Sequence, residues 1–105
     1  MPSATEFNEI VDALFDQFVE ALDSADAVDV VELNQGVLEV TCEDGSKIIV
    51  NRHAPTQEIW VAARSGGYHF RQTDQGWVDT RSSETLASAM TRVVREQTGV
   101  TVKFA

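Results

Sequence analysis

Apolar positions along the chain follow two different rhythms. Phe7, Ile10, Val11, Leu14, Phe15, Phe18 and Leu22 recur at i, i+3, i+4, i+7, i+8, i+11 and i+15. That spacing is one stripe of an amphipathic helix. Ser3 and Glu6 stand at capping-box spacing ahead of it, so the helix is predicted over residues 4–24. Beyond it, short apolar runs at 28–33, 37–42, 47–51, 59–63, 67–71 and 77–79 alternate with turn signals. The signals are Asn34-Gln35-Gly36, Asp44-Gly45, a loop with Pro55, Ser65-Gly66 and Asp74-Gln75-Gly76. Such spacing predicts an antiparallel meander. A second helix is predicted from Ser82 or Ser83, with Glu84 in its first turn and Gly99 beyond its end. Leu86, Met90, Val93, Val94 and Gln97 mark its inner face, and 100–104 reads as a last strand. The expected fold is α+β: a two-layer sandwich with two helices on one face of a mainly antiparallel sheet of about six to seven strands, as one domain over residues 1–105.

Charge sharpens this picture. The chain has 17 acidic and 8 basic residues, net −9, which argues against a nucleic-acid footprint. Residues 1–46 hold 12 acids and no Lys or Arg, so every base lies at Lys47 or later. On a helical wheel with Glu9 at zero, Asp12, Asp16, Glu20 and Asp23 fall within a strip roughly 80° wide, opposite the apolar stripe. Burying Phe7, Leu14 and Phe18 therefore drives these carboxylates into water. Asp26, Asp29 and Glu32 continue the negative surface toward the first strand. Neighbouring like charges repel by a few tenths of a kcal/mol per pair, and a cation or a basic protein surface relieves that repulsion. Carboxylate oxygens suit hard cations, held weakly where no cage closes around them. A bland reading, a solvated face that aids solubility, competes, and the ridge alone does not choose between metal and protein as its target.

Other residues narrow the classes. No apolar run reaches the ~20 residues of a membrane span. The N-terminus has neither the basic and apolar regions of a signal peptide nor the arginines of a transit peptide, which points to the cytoplasm. One cysteine, Cys42, excludes an internal disulfide and a cluster held by this chain alone; beside Glu43 and Asp44 it reads as buried and inert. No nucleophile–base pair, buried carboxylate pair or phosphate loop points to an enzyme. His53 and His69 are secondary candidates as nitrogen ligands. Trp77 reads as packing, whereas Trp60, between inward Ile59 and Val61, is expected on the outer sheet face, where exposed tryptophan favours a partner. A chain of net −9 should self-repel as a monomer, with metal able to bridge copies.

Four stretches in order carry a resemblance: Asn34-Gln-Gly-Val-Leu-Glu-Val-Thr, Asp44-Gly-Ser-Lys-Ile-Ile-Val-Asn-Arg52, Ile59-Trp-Val-Ala-Ala and Gly66-Gly-Tyr-His-Phe70. With the acidic first helix and Arg81-Ser-Ser-Glu-Thr85, they resemble the frataxin family in its bacterial branch. The resemblance implies an α-β-α sandwich and a role in iron–sulfur cluster assembly. It implies weak binding of ferrous or ferric iron at the ridge (Glu9, Asp12, Asp16, Glu20, Asp23, Asp26), with Asp12, Glu20, Asp23 and Asp26 favoured by matching positions. It also implies contact with cysteine desulfurase and scaffold through Glu20, Asp23, Asp26, Asp29, Glu32, Trp60, Asn51 and Arg52, with Arg64 as a further member. Regulator, iron chaperone and iron store are the roles it brings. The family often has an acid where this chain has Val30, which weakens any site at that strand edge.

Overall fold

The computed structural model describes residues 2–104. Helix α1 spans Ala4–Ala25, and Ser3 caps it in a full capping box. The Ser3 hydroxyl accepts from the Glu6 amide at 3.1 Å, and the Glu6 carboxylate accepts from the Ser3 amide at 3.2 Å. Six strands follow: β1 (Val30–Asn34), β2 (Val37–Thr41), β3 (Lys47–His53), β4 (Glu58–Ala63), β5 (Gly66–Thr73) and β6 (Gly76–Asp79). They lie side by side in chain order, each antiparallel to the next. A short 3-10 turn, Ala54–Thr56, bridges β3 and β4, and helix α2 spans Leu86–Thr98.

The helical stripe lands where its period puts it. Phe7, Val11, Phe15, Phe18 and Leu22 of α1 are buried, as are Leu86, Met90, Val93, Val94 and Gln97 of α2. They meet Leu38, Val40, Ile48, Val50, Ile59, Val61 and Phe70 from one face of the sheet. Both helices thus cover the same sheet face, and among the described residues the outer face stays without a layer. The alternation of Ile48 and Val50 with Lys47, Ile49 and Asn51 decides which β3 side chains face the helices.

Two boundaries differ from expectation. Helix α2 starts at Leu86, with Thr85 rather than Ser82 or Ser83 as cap; its hydroxyl accepts from the Ser88 amide at 3.2 Å. A bridge between Val78 and Thr85, with the Asp79 amide donating to the Glu84 carbonyl at 2.9 Å, keeps the intervening segment extended along β6. Residues 100–104 form no strand. Instead they lie in the helix layer: the Thr91 hydroxyl donates to the Val102 carbonyl at 2.7 Å, and Phe104 packs edge-on against Phe18 at 5.1 Å. Val102 and Phe104 bury themselves against helices, so their alternation does not require a sheet neighbour.

Candidate functional site: an acidic ridge and an aromatic sheet face

Every carboxylate singled out on the ridge is exposed: Glu9, Asp12, Asp16, Glu20 and Asp23 on α1, then Asp26, Asp29 and Glu32. Asp26 ends the helix in a left-handed conformation (φ 50°, ψ 40°), and the last turn holds no base. The ridge therefore runs over the end of α1 onto β1. There Glu32 pairs in register with Glu39 of β2, a like-charge cross-strand pair. Lys47 answers Glu39 at 2.9 Å, and that hydrogen bond holds the lysine ammonium above its ordinary pKa.

One member differs from the rest. Asp12 is engaged by Arg52, whose Nη2 lies 2.6 Å from its Oδ1. Glu9, Asp16, Glu20, Asp23, Asp26, Asp29 and Glu32 have no ion-pair partner among the described residues. No group of three Asp, Glu, His or Cys among the described residues converges into a metal cage. The carboxylates form a single exposed layer, suited to loose association with hard cations and to long-range attraction of a basic surface.

The expectation that Arg52 joins Trp60 on the outer sheet face is corrected. Ile48 and Val50 face the helices, and the same parity turns Arg52 inward, where only 15% of its side chain is exposed. Its guanidinium carbon lies 5.3 Å from the Phe15 ring centre. Asn51 stays on the outer face, exposed and in register with Trp60. Arg64 pairs with Asp44. The Asp44 carboxyl is held well below the usual carboxylate range, first by the Ser46 hydroxyl and amide and then by Arg64.

The outer face carries a built aromatic group. Trp60 is half-buried between two imidazoles, His53 at 4.2 Å and 10° and His69 at 4.4 Å and 12°. Its Nε1 donates to Glu58 Oε1 at 3.0 Å, and Arg71 Nη2 donates to Glu58 Oε2 at 3.0 Å. Glu58 is 7% exposed, and its carboxyl is held below the ordinary range chiefly by the indole hydrogen bond, against the opposing effect of burial. Both ring faces and the N–H of Trp60 are thus committed within the molecule. The two histidines stand on opposite sides of the indole, each with its own ring contact, and His53 Nδ1 is 2.8 Å from the Thr56 hydroxyl. Sequence reasoning passed over Glu58. Stepping back two residues from outward Trp60 reaches it, but Arg71 arrives only through the β4–β5 register.

Trp77 packs edge-on toward Phe7 at 6.3 Å, as expected of a packing residue. Cys42 is buried, with Gln97 Nε2 3.8 Å from its sulfur.

A two-helix layer on a six-stranded antiparallel meander, edged by an acidic first helix, is the architecture of frataxin-like proteins. The frataxin-like domain model matches residues 2–100, and the chain belongs to that family. Among curated relatives, the iron–sulfur cluster assembly protein CyaY of Cupriavidus metallidurans is 46% identical over 104 residues, covering 95% of this chain and 94% of its own. The protein of the same name from Ralstonia pickettii is 52% identical over 86 residues, 81% of this chain and 75% of its own. Frataxin from Psychromonas ingrahamii superposes with a TM-score of 0.92 at 25% identity, covering 99% of each chain. Trimeric frataxin from Saccharomyces cerevisiae, complexed with ferrous iron, superposes with a TM-score of 0.71 at 26% identity, covering 90% of this chain and 87% of that one. Among the described residues no helix is long and apolar enough to cross a membrane.

Proposed function

We propose that the chain is a cytoplasmic regulatory module of iron–sulfur cluster assembly. Its ridge docks on a basic surface of the cysteine desulfurase and scaffold complex and binds ferrous or ferric iron weakly. The observation that carries the reading is the run Asp16, Glu20, Asp23, Asp26, Asp29 and Glu32: six exposed carboxylates with no ion-pair partner among the described residues. A protein surface left so unbalanced is stabilised by an external cation or cationic partner. The names of the CyaY relatives supply the pathway. Trp60 and Asn51 offer a second contact surface on the opposite layer, edge-on and without net charge of their own. The protein acts as a monomer, with iron able to bridge copies through neighbouring ridges.

A second reading is an iron chaperone or store. The ferrous complex of the yeast relative favours it. Binding to purified desulfurase in chelator-treated buffer separates the two. Docking that persists without metal, weakens as salt is raised and falls at least tenfold in a Glu20→Lys, Asp23→Lys double variant supports the module. Docking that requires added iron supports the carrier, and metal-free binding unaffected by the charge reversal refutes the ridge as the contact.

A further inference from the structure

The two edges of the sheet are finished differently. On the β6 side, Val78 bridges to Thr85 and the Asp79 amide donates to the Glu84 carbonyl at 2.9 Å, so the segment leading into α2 lies along that edge. On the β1 side, no segment of the described residues pairs with the strand. Strand β1 joins β2 through the two-residue turn Gln35-Gly36, which sets Asn34 opposite Val37, Glu32 opposite Glu39 and Val30 opposite Thr41. The pair that closes such a turn exchanges hydrogen bonds, and along an antiparallel ladder every second pair does so. The N–H and C=O groups of Val31 and Leu33 therefore point off the edge of the sheet. The strand that carries them is held at both ends. The Asp29 amide donates to the Thr41 carbonyl at 2.9 Å, and the Gly36 carbonyl accepts from Arg52 Nη2 at 3.2 Å. Arg52 also reaches Asn8 and Asp12, which fastens the turn to α1. Gly36 has φ +80°, and a Cβ there would stand 3.3 Å from Arg52 Nη2, so a glycine meets both demands at once.

We infer that the β1 edge receives an extended basic segment of a partner protein as a further strand, its backbone pairing with Val31 and Leu33. The inference rests on the reading of the ridge as a surface for a basic partner, and it names how that partner meets the β1 end. Side chains set the pattern the added strand must carry. Val31 and Leu33 share the helix side of the sheet with Val40 and Leu38, and Leu33 is 44% exposed. Glu32 lies on the outer side opposite Glu39. Lys47 pairs with Glu39 at 2.9 Å, which leaves Glu32 without an ion-pair partner among the described residues. A strand that alternates apolar and basic residues covers Leu33 on one face and sets its bases beside Glu32 on the other. A second copy of β1 is the poorer occupant, because it brings Asp29 and Glu32 of one chain against those of another on a molecule of net −9. The same charges that repel a copy of this edge select for a cationic strand.

Short peptides blocked at both ends are the probe, with the full chain followed by NMR and amide hydrogen exchange. One peptide alternates valine with lysine, and a second has glutamate in place of lysine. The lysine peptide should slow exchange at Val31 and Leu33 and bind at least about tenfold more tightly than the glutamate peptide. Two N-methylated forms of the lysine peptide decide the mode, because successive N–H groups of a strand point to opposite edges. Methylation at one alternate set, the valines or the lysines, should weaken binding by roughly tenfold, and methylation at the other should leave it within about twofold. Equal loss for both sets, with the preference for lysine kept, overturns strand addition and leaves the attraction of the ridge for a basic partner standing. Equal binding of the lysine and glutamate peptides overturns the basic occupant. Slow exchange at Val31 and Leu33 in the protein alone, deepening as protein concentration rises, overturns it in favour of a second copy. No change at either amide with any peptide refutes the edge as a docking site, and desulfurase binding by the charge-reversed variant then tests the ridge reading by itself.

Discussion

Glu58 offers the sharpest test of how the sheet face is built, because one buried carboxylate holds two donors of different kinds. Replacing it with alanine removes the acceptor of the Trp60 indole N–H and the partner of Arg71. A hydrogen bond to a charged group is worth about 1.5–3 kcal/mol. Arg71 is largely exposed, so its ion pair adds only about 0.5 kcal/mol. Glu58→Ala should therefore destabilise by about 2–3 kcal/mol, a fall in Tm of about 10 °C or more for a domain of this size. Glu58→Gln keeps a neutral acceptor for the indole and should cost about 1 kcal/mol. The difference between the native chain and Glu58→Gln depends on pH. Folding depresses the Glu58 pKa, so its charged-state stabilisation is complete above the ordinary carboxylate range. It is lost as pH falls from there through the lower folded-state value. Urea titrations at neutral pH and at about pH 3 should show the gap narrowing in acid. A gap that stays constant, or a Glu58→Ala protein as stable as its parent, would refute the claim that this carboxylate anchors the indole.

Phe104→Ala should cost about 3 kcal/mol, because the ring is 8% exposed and packs on Phe18 although it belongs to no regular element; thermal unfolding measures it. His69→Ala should free one face of Trp60 and shift its fluorescence to the red in a Trp77→Phe background, and an unchanged spectrum would mean that the stack does not persist in solution.

Much of this arrangement is legible along the chain, and the failures share a cause. The α1 stripe spans several helical turns with a capping box at its head, so local signals agree and the helix is readable almost to the residue. Tight turns such as Gln35-Gly36, both with positive φ, mark the meander equally well. The start of α2 is placed too early by local signals because Ser82 and Ser83 are good caps by type, whereas the cap is Thr85. A long-range bridge to Val78 chooses among them. Residues 100–104 alternate like a strand, yet apolar alternation reports only which side is buried, not whether the covering layer is sheet or helix. The ridge strip was readable because it lies on one helix. The pairing of Asp12 was not, since Arg52 stands 40 positions away on β3. Part of that signal was present: continuing the parity of Ile48 and Val50 by one step turns Arg52 inward. The Glu58–Arg71 pair depends on register and has no local trace.

The last turn of α1 places Asp23 and the left-handed Asp26 at the negative pole of the helix dipole, with no lysine or arginine to offset them. Helices ordinarily carry bases there, so this terminus is electrostatically frustrated, trading fold stability for an unquenched field. Any cation that settles on it relaxes that frustration and stiffens the helix end, so occupancy should reveal itself as a higher melting temperature before any function is assayed.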